Sequence, residues 1–326
     1  MTVDPTLAAL SDRLFSVTVA LYSLAVVAFC AQLAFGRRPA RVRQLVGAGA
    51  PVDAVAADAE RPAAEPGRRW GLIAMTLTAL GIATHVAVLV TRGLGAGRLP
   101  WGNMYEFATA VVLVAVAAFT VLAARAPALR HIGVFVLAPV VLAMVLIGLF
   151  LYTDDGPLVA ALRSYWLAIH VTMAILGFGI FFVSGIASVL YLVRRRYETR
   201  VPAGVTEEPP AGGFGIAARL PAAEALDRVA HRTVVFGFPI WTFAVIAGAI
   251  WAESAWGRFW GWDPKETWAF IAWVTYAAYL HARTTAGWRG RPAAWVNIVG
   301  LCDMVFNLLY VNMVSTGLHS YAGLSK

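Results

Sequence analysis

The residues best able to do chemistry are six histidines and the stretch Trp251 to His281, WAESAWGRFWGWDPKETWAFIAWVTYAAYLH. Six tryptophans fall in that stretch, Trp251, Trp256, Trp260, Trp262, Trp268 and Trp273, interrupted by Glu253, Arg258, Asp263, Lys265 and Glu266. Tryptophans gather at membrane interfaces in any polytopic protein. Asp263, Pro264 and Glu266 also have a structural use: they suit the N-cap, the first helical position and the third position of a capping box. The loop before that cap is left unexplained. There Trp256, Gly257, Trp260, Gly261 and Trp262 set flat side chains beside residues that have none, which suits close approach of a large planar ligand such as a porphyrin. Imidazole is a common axial ligand for haem iron, so histidines near such a loop have a matching chemistry.

The elements that must position these residues are membrane spans. The chain has 326 residues, 60% hydrophobic and 13% charged, with several apolar runs near the ~20 residues needed to cross a bilayer. A formal charge of +8 would suggest nucleic acid in a soluble protein. Here the basic residues cluster between the apolar runs, where positive charge sets topology, and a nucleic-acid partner is excluded on that ground. The two cysteines, Cys30 and Cys302, lie inside apolar runs, and no C-x-x-C or C-x-x-C-H occurs. The chain is therefore neither a c-type cytochrome nor a dithiol oxidoreductase.

Eight spans are expected, at about 14–35, 70–92, 104–124, 131–151, 164–193, 232–251, 266–284 and 294–314, giving an all-α polytopic membrane protein. The first is expected to be an uncleaved anchor with its N-terminus outside, because Arg37, Arg38, Arg41 and Arg43 follow it and positive charge stays in the cytoplasm. Counting Lys and Arg under that orientation places nineteen of the 26 inside. Both termini and the tryptophan loop, at about 252–265, then fall on the outer face. Residues 36–69 are expected to be a flexible cytoplasmic linker between the anchor, 1–35, and a membrane domain, 70–326, which itself carries a second flexible cytoplasmic loop at about 194–231. Within the second, LPAAEALDRVAHR (Leu220 to Arg232) has apolar residues on one side and suits lying along the inner interface. On the outer side, Asn103 and Glu106 of WGNMYEF form a capping pair.

These spans sort the histidines. His170 lies near the outer end of the fifth span and His319 follows the eighth, so both can flank the tryptophan loop. His85 and His281 fall within the second and seventh spans, and His131 and His231 at cytoplasmic edges. Ionisable groups inside a membrane are costly and tend to mark function; Asp303, in the eighth span, is another.

The run WGRFWGWDPKETWAFIAWVTYAAYLHAR resembles the tryptophan-rich "WWD" signature of the haem-handling proteins, and most closely the CcsA/ResC branch, also called CcsB, of System II cytochrome c biogenesis. The resemblance runs from about Trp70 to Leu324, is strongest from Leu226 to Arg283, and returns at GLHSY, Gly317 to Tyr321. It implies two iron-ligating histidine pairs, His170 with His319 outside and His85 with His281 within the membrane. It also implies a haem platform that includes Trp256, Trp260, Trp262, Gly257, Gly261 and Asp263. The implied cargo is haem b, delivered to an apocytochrome c whose C-x-x-C-H thiols add to the haem vinyl groups, as part of a cytochrome c synthase. The implied setting is the plasma membrane, multi-pass, beside a ResB-type membrane partner. Arg258, Lys265, Arg92, Arg98 and Arg163 are the cations nearest for the propionates. The alternatives are a two-haem b-type electron carrier and a haem exporter without synthase activity.

Overall fold

Asp4 opens the first helix: its Oδ1 accepts from the Thr6 N–H at 2.9 Å, and Pro5 follows as a residue suited to the first helical position. Helix α1 (Pro5–Phe35) therefore begins well before the expected span. The computed structural model describes residues 4–35, 66–154, 162–200, 214–315 and 317–319. All regular elements among them are helices. After α1 come α2 (Pro66–Ala96), α3 (Met104–Arg125), a 3-10 turn (Pro127–Ile132) running into α4 (Gly133–Leu146), α5 (Tyr165–Arg200), the short α6 (Phe214–Arg219), α7 (Ala223–Trp256), α8 (Pro264–Thr284) and α9 (Arg291–Phe306). Both α4 and α9 end in a π-helical turn, Ile147–Leu151 and Asn307–Val311.

Seven of these segments are long and apolar enough to cross a membrane. The eighth expected span is α8, whose 21 residues reach ~30 Å at the helical rise. Lys265, Glu266, His281 and Arg283 make it less apolar, and it packs against both α7 and α9. The bundle has two cores. Tyr22, Phe29, Phe119 and Val136 centre one among α1–α4; Phe181, Trp241 and Tyr276 centre the other among α5, α7 and α8. Helix α5 touches α3, α7 and α9 and joins the two halves.

The second expected loop, 194–231, is largely helical where it is described. Helix α5 continues to Arg200 because Arg194 pairs with Glu198 one turn on, at 2.8 Å, and also donates to the Ala217 and Ala218 carbonyls of α6. The segment expected to lie along the interface instead forms the first turns of α7, with Leu226 and Ala230 buried in the bundle. No helix breaker separates Ala223 from the apolar run that follows, so the helix propagates. Residues 36–65 and 201–213 of the expected linkers lie outside the described residues. Asp303 accepts a hydrogen bond from Thr275 at 2.9 Å, which satisfies a polar group inside the bundle.

One end of the bundle collects the start of α1, the end of α2, the start of α3 and the end of α4. Asp4 N–H donates to Gly95 O at 3.1 Å, and Tyr152 Oη donates to Asp12 Oδ2 at 2.9 Å. At its centre Glu106, fully buried, accepts from Arg92 Nε at 3.3 Å, Arg98 Nη1 at 2.7 Å and the Gly102 N–H at 2.6 Å. Arg92 also donates to the Thr153 carbonyl. Asn103 caps α3 by accepting from the Glu106 N–H at 2.9 Å. The capping pair read from the sequence is present, and its carboxylate additionally joins three segments. Removing one partner of a buried ion pair strands the other, at a cost of about 3–5 kcal/mol. Glu106→Gln is therefore expected to lower the thermal unfolding midpoint of the purified protein sharply, and Glu106→Asp much less. Equal midpoints for wild type and Glu106→Gln would mean the cluster is solvated.

Candidate functional site

The same end carries the tryptophan loop. Helix α7 stops at Trp256 because Gly257 takes a left-handed φ of +71° and its N–H returns to Glu253 O at 2.8 Å, a glycine C-cap. Helix α8 starts at Asp263, whose side chain accepts from Lys265 N–H at 3.0 Å. Glu266 closes the capping box onto Asp263 N–H at 3.2 Å and also accepts from Gly261 N–H at 2.8 Å and Arg258 Nη1 at 3.1 Å. Those bonds hold Trp262 at a φ of +57°, rare for a bulky side chain.

Asp263 does more than cap. Its Oδ2 accepts from Leu318 N–H at 2.7 Å and its Oδ1 from His319 Nδ1 at 2.9 Å. Gly317 permits this contact, since a Cβ there would lie 2.5 Å from Asp263 Oδ2. The carboxylate thus fixes the start of α8 and the segment after α9 in one bond set. Burial would raise the Asp263 carboxyl, but hydrogen bonds from His319, Leu318 and Lys265 outweigh it and hold it at about 2. Burial pushes the His319 imidazole below its ordinary 6.5, against the opposing pull of Asp263. The pair at neutral pH is therefore a carboxylate accepting from a neutral ring.

His170, on the second turn of α5, places Nδ1 2.8 Å from Ala244 O. A carbonyl and a carboxylate only accept, so both rings carry the proton on Nδ1 and the lone pair on Nε2. This is the arrangement by which proteins orient a histidine for metal ligation. Trp251 links the rings: it stacks on His170 at 6.0 Å and 11°, and meets His319 edge-on at 5.8 Å. Trp256 contacts His319 at 5.0 Å.

Both histidines line one cavity, whose empty space is about 1180 Å³ with its open mouth included. Trp101, Trp241, Trp251, Trp256 and Trp260 supply aromatic lining. Lys265 also lines it, donating to Asn312 Oδ1. Asn312 is aimed by its own bonds to Leu308 O at 2.7 Å and Asn307 O at 3.0 Å across the π-turn. Such a space, with flat walls, two imidazoles and an ammonium, fits a planar metal-bearing ligand with carboxylate arms.

The structure brings His170, His319, Trp256 and Trp260 together around this cavity. Trp262 stands outside its lining, 64% exposed, edge-on to Trp260 and Phe270. Gly257, Gly261 and Asp263 also lie outside it and shape the loop instead. Among the described residues no hydrogen bond or ring contact joins His85 to His281. His85 is fully buried on α2, 3.3 Å from Tyr22 Oη. His281 is exposed in the last turn of α8, roughly 10 Å deeper along its helix by residue count. Sequence reasoning missed Trp251, which reads as one more interfacial tryptophan, and the Asp263–His319 bond, which spans 56 residues.

Residues 101–319 match the family described as Cytochrome C assembly protein. The chain belongs to that family. Among its members, the cytochrome c biogenesis protein CcsA of Gloeobacter violaceus is 35% identical over 297 residues, covering 76% of this chain and 86% of the relative. The CcsA of Guillardia theta is 34% identical over 260 residues, covering 76% and 85%. A solved structure, the cytochrome c haem lyase CcmF, superposes over 99% of this chain with a TM-score of 0.61 at 17% identity, so the fold is shared. The chain spans 49% of that structure's length. The matched range of the family begins at Trp101 and ends at His319, two residues that line the cavity.

The His319 shift gives a pH signature. Because the ring binds a proton less readily in the closed site than its ordinary 6.5 allows, the contact's contribution is complete above that pH and is lost as pH falls below it. Hydrogen-exchange protection at residues 257–266, taken relative to the intrinsic rate at each pH, is expected to be flat above pH 6.5 and to fall in mild acid, and Asp263→Ala should lower it at every pH. Protection that stays flat on acidification would show that His319 does not titrate in a buried contact.

Proposed function

We propose that this protein carries haem b to the cavity beneath the tryptophan loop and holds it there for covalent attachment to an apocytochrome c. Membership of the family gives the chain a part in cytochrome c maturation through haem handling. The observation that carries the finer reading is the pair of histidines, both with Nδ1 occupied by an acceptor, lining one aromatic cavity. In this reading His170 and His319 supply their Nε2 atoms to the iron, and Trp256 and Trp260 cover the ring. Lys265 meets a propionate. Axial ligation tunes iron potential, which suits holding haem ferrous until a thiol of the substrate's C-x-x-C-H adds to each vinyl group. One histidine then yields to the substrate histidine. The protein contributes orientation, while haem and substrate supply the reacting atoms.

The orientation proposed puts the tryptophan loop on the extracytoplasmic face of the plasma membrane, from the bias of Lys and Arg between spans. A ResB-type membrane partner acts beside it. His85 and His281 are proposed as an inner haem station. In the conformation described His85 is buried against Tyr22 and His281 is exposed, so ligation of one iron by both requires the two side chains to be brought together. The two-haem electron carrier is the lesser reading, because a permanently buried haem needs no aromatic loop at the edge of its cavity.

Alanine variants of the four histidines test this. His170→Ala and His319→Ala should each abolish holocytochrome formation, with added imidazole restoring part of it by filling the vacant axial position. His85→Ala and His281→Ala should lower total haem in the purified protein. Normal cytochrome levels in an outer variant would remove that histidine from the site, and unchanged haem in both inner variants would return them to helix packing.

The cavity lining makes a separate expectation. Trp256→Ala and Lys265→Gln should reduce haem retention measured by pyridine haemochrome, with Trp256→Phe in between, since Phe keeps a smaller stacking face. Trp262→Ala, outside the lining, should retain haem. Loss of haem in Trp262→Ala alone would put the ligand on the other side of the loop.

A further inference from the structure

The opposite end of the bundle holds a second concavity, lying between α5 and α9. It encloses about 1250 Å³, open side included, and is rimmed by Arg195, Arg196, Arg200 and Arg291. Below that rim its walls are apolar, from Leu192, Val193, Ile298 and the ring of Trp295. Among the described lining residues none is acidic, and Arg195, Arg196 and Arg291 bring positive charge to one space. Arg194, the neighbour that points elsewhere, is the one paired to Glu198.

A cluster of arginines at a helix end has an ordinary use in setting topology. Two features go beyond it here. The first is that the walls are held in place. Asn297 of α9, fully buried, donates to Ser184 Oγ at 2.8 Å and Ser188 Oγ at 2.7 Å on α5, which fixes the helix spacing just beneath the groove. The second is that the groove opens sideways onto apolar surface: Val189, Val193, Trp295 and Val299 are 41%, 42%, 57% and 51% exposed. A ligand matched to it has a compact anionic head and a long apolar body.

We propose that this groove seats one anionic phospholipid, its phosphate among the arginines and an acyl chain along Val193 and Ile298. Guanidinium groups match phosphate oxygens in paired hydrogen bonds, and basic pockets between spanning helices suit anionic headgroups. Trp295 stands where an indole ring is favoured, at the boundary of headgroup and chain. Free phosphate would leave the apolar walls uncovered. Haem would find no axial ligand, because the lining residues include no histidine, cysteine or methionine. The inference stands independently of the haem site at the other end.

The test uses the full-length protein in phosphatidylcholine nanodiscs doped with phosphatidylglycerol, read by native mass spectrometry of retained lipid. Wild type should keep phosphatidylglycerol in preference to phosphatidylcholine. Each arginine near an anionic headgroup is worth roughly a fivefold change in affinity, so Arg195→Gln with Arg291→Gln should weaken retention by more than about tenfold. The corresponding Lys double variant should keep most of it. Arg228→Gln, on an exposed pair with Glu224, should change nothing, and haem content should be the same in all. Equal lipid retention in the Gln double variant and wild type overturns the proposal. If the Gln variant does not purify, competition on wild type decides. Displacement of the lipid by inorganic phosphate at equal concentration would make it a free-anion site, and displacement by haem would make it a haem site; either result rejects the lipid.

Discussion

The site depends on one carboxylate. Asp263 accepts from the Lys265 amide, the Leu318 amide and the His319 ring, and those three donors come from two segments that no covalent link brings together. Burying a carboxylate is expensive unless its lone pairs are filled. Here they are filled by groups that must themselves be placed, so the cap of α8 and the position of His319 form together or not at all. The other ring, His170, is set by a backbone carbonyl of α7, which is rigid wherever α5 and α7 pack. One imidazole is therefore set by the packing of the bundle, and the other hangs on a side-chain clasp.

Two further carboxylates repeat the logic beside the cavity. Glu266 binds the tryptophan loop through the amides of Gly261 and Asp263 and through Arg258. Glu106 binds the loop that carries Trp101 through the Gly102 amide and through Arg92 and Arg98. In both, an acid three residues into a helix start also recruits arginine. That use of charge leaves Lys265, whose hydrogen-bond partner is the neutral Asn312, as the cation that lines the cavity beside two neutral imidazoles.

What could be read from the sequence was local. Hydropathy located the spans, and the caps at Asn103 and Asp263 announced helix starts because capping is a matter of three or four neighbouring residues. The ends of α5 and α7 were misplaced, since the polar composition of 194–231 hides the Arg194 contacts that extend one helix and the burial of Leu226 that begins the other. The bonds that make the site were illegible for a different reason. Asp263 and His319, or Lys265 and Asn312, are joined only through the π-turn and the chain reversal after α9, and neither leaves a periodic trace. The resemblance named the histidines; it did not supply their tautomers, which required seeing Ala244 and Asp263 as acceptors.

Trp262 brings these points to bear on the loop itself. A left-handed backbone at a residue of this size costs about 1–2 kcal/mol, and such strain persists only where surrounding bonds fix it. The bonds are those of Glu266 to the amides on either side of Trp262. Their effect is to divide the seven-residue run from Trp256 to Trp262 between two surfaces. Trp256 and Trp260 turn toward the cavity and the histidines, while Trp262 turns its face outward against Phe270. A relaxed backbone at Trp262 would rotate the residues after it and carry Asp263 away from His319. The strain, the outward tryptophan and His319 are thus one mechanical unit, with Glu266 and Asp263 at its two ends.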